Sequence, residues 1–169
     1  MSKGKMAAVL AALAIFGTAL GTRVCFAAES ELTLCSYYSG GGMSGGHLYM
    51  KLWGQKDGTA RATLDWLEEN GAPEIHRAVG VPKEKLDEIA AMFSRDDLFQ
   101  WEKAPPSELI ALDADNVSVE FCYADGSGAT LHSGCEMPRE AFAVMRKVQM
   151  FLGDMLKDAP QVEKEESAG

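Results

Sequence analysis

Three histidines, four cysteines and one glycine-rich run are the parts of this chain whose residue types invite chemistry. The run is Ser39-Gly40-Gly41-Gly42-Met43-Ser44-Gly45-Gly46. A glycine-rich loop cradles phosphate when it closes on Gly-Lys-Ser/Thr and opens a helix, whose first N–H groups then face the anion. This run has no such lysine and leads into an alternating, strand-like stretch, so nucleotide binding is not expected. Two readings stay open: a connection between paired strands whose geometry requires glycine, and a loop whose bare N–H groups line a ligand site.

His47, His76 and His132 are far apart and form no His-x-x-x-His or His-Glu-x-x-His pattern. Cys35, Cys122 and Cys135 do not have the spacing of a zinc ribbon or finger; His132 and Cys135 alone make a weak pair. Gly-x-Ser-x-Gly is absent, and Gly126-Ser127-Gly128 is turn chemistry. A thiol nucleophile needs a thiolate beside a base, and no local signature brings a cysteine and a histidine together. Asp113, Asp115 and Asn116 begin like a calcium loop but lack its later ligands. No catalytic residue, metal or other cofactor is therefore assigned.

The elements that must position these residues follow a leader. Lys3 and Lys5 precede an apolar run from Met6 to Ala19, and Cys25-Phe26-Ala27 offers small residues at −3 and −1. This pattern is that of a signal peptide over residues 1–27, with no stable membrane anchor after cleavage. Loss of Lys3, Lys5 and Arg23 leaves 13 basic against 25 acidic residues, a net charge of −12. So acidic a chain lacks the basic patch that a phosphate backbone demands, and nucleic acid is excluded as a partner.

Residues 31–38 alternate weakly, with Thr33, Cys35 and Tyr37 on one side and Leu32, Leu34, Ser36 and Tyr38 on the other. Residues 47–53 alternate clearly: Leu48, Met50 and Leu52 face one way, His47, Tyr49, Lys51 and Trp53 the other. An Asp57-Gly58 turn leads to a third strand, with Ala60, Ala62, Leu64 and Trp66 inward and Arg61, Thr63 and Asp65 outward. Residues 68–80 carry little pattern and read as a connection. Pro82 suits the first position of a helix bearing Leu86, Ile89, Ala90 and Phe93 on one stripe and fading over residues 94–97.

After a loop at 103–116, residues 117–123 form the clearest strand, with Val117, Val119, Phe121 and Tyr123 inward. A turn at 125–128 returns the chain through 129–133. Pro138 opens a last helix with Phe142, Met145, Val148, Leu152 and Leu156 on its apolar face. The expectation is one α+β domain over residues 28–157, ordered β-β-β-α-β-β-α. It is an antiparallel sheet of about five strands with both helices on one face. An acidic tail over 158–169 reads as disordered.

That architecture leaves the other sheet face open. By parity it should carry Tyr37, His47, Tyr49, Lys51 and Trp53, with Arg61, Asp65 and Glu120 around them. Aromatic and polar side chains mixed in this way stack on sugars or grip an extended peptide. With Gly41, Gly42, Met43 and Ser44 of the glycine run, Tyr37, His47, Tyr49 and Trp53 form the candidate binding loop and face. The same parity puts Cys35 and Cys122 on this face of neighbouring strands, and an exported protein permits a disulfide between them.

The glycine motif after a strand, a mid-chain helix leading to Trp101, and a strand pair running into Pro138 resemble a family of small exported bacterial proteins of uncharacterised function. The resemblance spans most of residues 31–157. It implies that the motif and the α+β plan belong together, and it carries no activity to transfer. The expected function is a non-catalytic binding or interaction module of the cell envelope, periplasm or exterior, for a protein, peptide or glycan. The alternative is a secreted hydrolase or thiol enzyme with a site near the glycine run and His47.

Overall fold

The computed structural model describes residues 30–42, 45–107 and 116–163. Strands β1 (Leu32–Gly40), β2 (His47–Gly54), β3 (Thr59–Leu67) and β4 (Ile75–Pro82) come first in the chain. Helices α1 (Glu84–Ala90) and α2 (Arg95–Trp101) follow, then β5 (Asn116–Tyr123), β6 (Gly128–His132) and the long α3 (Arg139–Leu156). The class is α+β. The strands form one antiparallel sheet in the order β4-β3-β2-β1-β5-β6.

Among the described residues the sheet thus has six strands where about five were expected, and three helices pack on it where two were expected. The additional strand is β4, within and just beyond the stretch that reads as a connection. Its parity is masked because Arg77 occupies a position that faces α3, opposite Leu64. The Arg77 guanidinium donates to the carbonyl oxygens of Lys157 and Ala159, just past the end of α3. Pro82 is accordingly the last residue of β4, not the first of a helix. The helix carrying the Leu86 stripe ends at Ala90, before Phe93, and Ser94, extended at φ −88° and ψ 136°, leads into α2 where the helix was expected to fade.

One buried cluster joins the sheet and all three helices. Cys35, Tyr37, Met50, Leu52, Ala62, Val119, Phe121 and Leu131 come from one sheet face. Leu86 and Ile89 of α1, Leu98 of α2, and Val148, Leu152 and Leu156 of α3 close over them. Burial of each large aliphatic or aromatic side chain contributes about 1.5–3 kcal/mol. Phe93 meets Phe121 edge to face, with centroids 4.7 Å apart.

The face assignment of β1 is corrected. A register shift between Leu32 and Leu34 in the pairing with β5 puts Leu32, Cys35 and Tyr37 all in the core. A bulge adds one residue to a strand and reverses its parity beyond that point. Cys35 is 0% exposed and Tyr37 4%, both beneath the helices. Cys35 is opposite Phe121, an inward residue, while Cys122 lies opposite Leu34 on the outer face. The expected Cys35–Cys122 disulfide is therefore absent: the thiols project to opposite sides of the sheet, and Cys35, Cys122 and Cys135 are all free.

The tail expected to be disordered from residue 158 is held against the sheet through Glu163. Ala159 is buried. Gln161 pairs with Arg77 in an antiparallel bridge beyond β4. Residues 164–169, residues 1–29, over which a signal peptide was expected, and residues 108–115, including Asp113 and Asp115, lie outside the described residues.

Candidate functional site

Every described helix lies on one side, so among the described residues the outer face of the sheet has no helix over it. Strand register arranges it in rows. His76, Asp65, Tyr49, Tyr38, Ser118 and His132 follow one another across all six strands. The next row runs Ala78, Thr63, Lys51, Ser36, Glu120 and Thr130. Arg61 and Trp53 stand opposite each other one row further.

Of the expected face residues, His47, Tyr49 and Trp53 lie where strand alternation puts them; Tyr37 does not. Trp53 has the Lys51 ammonium 5.1 Å from its ring centroid, within cation–π range. Burial is the main cause that raises the Tyr49 phenol pKa above its ordinary value; a hydrogen bond with Ser36 opposes this, and nearby Glu120 and Asp65 add to it. Trp53, Gln55, Arg61, Thr63, Asp65 and His76 wall a depression of about 280 Å³. Its far side is formed by Arg77, Ala78, Val162 and Glu163.

At the glycine end of this face lies a chain of ionisable groups. His76 Nδ1 is 2.7 Å from Asp65 Oδ1 on the neighbouring strand. Glu74 stands between the two imidazoles, Oε2 3.5 Å from His76 Nε2 and Oε1 3.5 Å from His47 Nε2. Sequence reasoning placed His47 here but missed His76 and Glu74, because β4 was not recognised. The alternation of Ile75, Val79 and Val81 was the available signal, broken by Arg77. Among the described residues, no three His, Cys, Asp or Glu side chains converge closely enough to hold a metal ion.

The glycine run is explained mainly by close backbone approach. Gly45 has φ +69°, and a β-carbon on it would lie 2.1 Å from the Asn70 side-chain nitrogen. A β-carbon on Gly46 would meet the Glu68 carbonyl oxygen. Gly42 accepts a hydrogen bond from Gly45 N at 3.0 Å, and Gly41 has φ +90° beside Asn116. Met43 and Ser44 lie outside the described residues. Gly46, Ser39, His47, Trp66 and Glu68 border a small hollow of about 150 Å³, so the run does wall a cavity, though a slight one.

Two of the cysteines are poor thiolate sources. Burial, with Cys122 and Glu120 adding, pushes the Cys35 thiol far above its ordinary value. Burial and then Glu120 raise Cys122 as well. No described helix is long and apolar enough to cross a membrane.

Fold and site together define a small α+β domain with a single-sided helical layer and an exposed aromatic and polar sheet face. Compared with protein-family models and with curated proteins, the chain matches none.

Proposed function

We propose that this chain is an exported, non-catalytic binding module of the cell envelope whose open sheet face receives a protein, peptide or glycan. Export rests on the leader pattern of residues 1–27, and the resemblance to small exported bacterial proteins agrees with it. The observation that carries the binding reading is the strip formed by Tyr49, Lys51, Trp53, Arg61, Asp65 and His76. These aromatic and charged side chains lie together on the sheet face that no described helix covers. Such a strip offers stacking area and hydrogen bonds while exposing little aliphatic surface. The raised thiols of Cys35 and Cys122 weigh against a thiol enzyme at those positions.

The test is titration of the isotope-labelled chain with N-acetylhexosamine oligosaccharides and with unstructured peptides, read by amide shifts. Shifts confined to Tyr49, Lys51, Trp53 and Arg61 are expected. Trp53→Ala should weaken the binding by about thirtyfold, the loss of a central aromatic anchor worth about 2 kcal/mol. Saturable binding whose shifts map to the helical side instead would overturn the proposal.

A further inference from the structure

The two edges of the sheet are closed in different ways. On β6 the outward-facing N–H of Thr130 donates to the Glu102 carboxylate at 3.1 Å, beside α2. A side chain thus occupies that edge. On β4 the occupant is main chain: Ala78 N donates to Pro160 O at 3.3 Å, and Val162 N donates to His76 O at 3.0 Å. The C-terminal segment lies on β4 as an added antiparallel strand, the geometry in which sheet edges bind extended peptides.

This covering is slight. Pro160 has no N–H to give, so the segment makes two ladder bonds where a longer strand would make more. Val162 remains 38% exposed. Next along the edge is Gly80, which is exposed. The tail cannot reach it, because Ala159 N bonds back to Leu156 O at the end of α3. The β4 edge is therefore longer than the segment that covers it. Unlike edges guarded by lysines or bulges, it is shielded by a peptide.

We propose that the β4 edge is a β-addition site for an extended peptide segment of a partner protein, with residues 159–163 as its competitor in cis. The tail indicates the chemistry that fits. A small residue sits at the buried Ala159 position, and proline is tolerated next because no N–H is needed there. An aliphatic residue at the Val162 position donates its N–H to His76, and an acid follows within the depression that holds Arg61 and Arg77. This inference stands on the edge, not on the open face, and either can fail without the other.

A synthetic peptide with the sequence of residues 158–164 is the probe, titrated into the unmodified chain and into its Val162→Pro variant. The substitution removes the donor to His76 O at an exposed position, and circular dichroism checks that the fold is kept. The peptide should shift the Ala78 amide in both proteins, and bind the variant at least about tenfold more tightly because its competitor is weakened. In the unmodified chain, the Ala78 amide should also exchange with solvent at least about a hundredfold faster than that of Leu52, reporting release of the tail. Ala78 exchange as slow as that of Leu52 would overturn the proposal, as would unmoved Ala78 shifts at millimolar peptide. Peptide shifts confined to Tyr49 and Trp53 would overturn it while leaving the open-face reading intact. A concentration-dependent dimer that excludes the peptide would assign the edge to a second copy and overturn it too.

Discussion

A β-carbon on Gly46 would lie 2.2 Å from the carbonyl oxygen of Glu68. The backbone entering β2 therefore rests directly on the backbone leaving β3. The obstacle is main chain on both sides, so no side chain can swing away to make room. Gly46→Ala should cost at least about 3 kcal/mol, read as a lower urea midpoint with an unchanged m-value. A midpoint within error of the parent would mean that this contact is looser than described.

His76 and Asp65 form the shortest link in the ionisable chain, at 2.7 Å with side chains 14% and 31% exposed. A double-mutant cycle with His76→Ala and Asp65→Ala should return a coupling of about 1 kcal/mol in folding stability. Glu74→Gln should reduce that coupling only in part, since it leaves the Nδ1 bond in place. Strict additivity of the two single changes would show that the pair contributes nothing.

The three thiols differ in reach. Under native conditions an alkylating reagent should label Cys135 and Cys122, whereas Cys35, wholly buried, should react only after unfolding. Because the Cys122 thiol is raised, its labelling should stay slow near neutrality and accelerate only above the ordinary thiol range of about 8.5. Non-reducing peptide mapping should find all three free. A Cys35–Cys122 crosslinked peptide would contradict the strand register.

Asp125 accepts hydrogen bonds from Ser127 Oγ at 2.6 Å and Ser127 N at 3.0 Å, and from Arg95 Nη2 at 2.6 Å. The two bonds from Ser127, followed by Arg95, hold its carboxyl far below the usual carboxylate range. A depressed folded-state value means the stabilisation is complete above the unfolded value of about 4, and is lost as pH falls below it. Asp125→Asn should thus lower Tm at pH 7, and the gap from the parent should narrow as the pH is taken from about 4 to 2. A gap independent of pH would remove the ionised carboxylate from the explanation.

Phe121 of β5 is wholly buried and meets Phe93 edge to face. Phe121→Ala should cost about 3–5 kcal/mol in denaturant unfolding. A loss below about 1 kcal/mol would mean that α1 and α2 can collapse into the space.

What the sequence made legible follows the regularity of its local patterns. The alternation of Leu48, Met50 and Leu52 and of Val119, Phe121 and Tyr123 assigned β2 and β5 their correct faces, as did the helical stripe of Val148, Leu152 and Leu156 for α3. The face of β1 was misread because a bulge is a property of the pairing with β5, and nothing between Leu32 and Cys35 announces it. The β4 strand was missed because Arg77 is satisfied by carbonyls from the far end of the chain, a partner invisible to any local window. The candidate site was legible to the same degree. Tyr49, Lys51 and Trp53 follow from alternation, whereas Glu74, His76 and the wall formed by Val162 depend on that unseen strand.

The grip of Arg77 on Lys157 and Ala159 has a further consequence for how the molecule assembles. It bonds a strand in the first half of the chain to the carbonyls where the last helix stops, across a sequence separation of 80 residues. The meander and the end of the C-terminal helix are thus tied by side-chain-to-backbone bonds between parts of the chain that are remote in sequence.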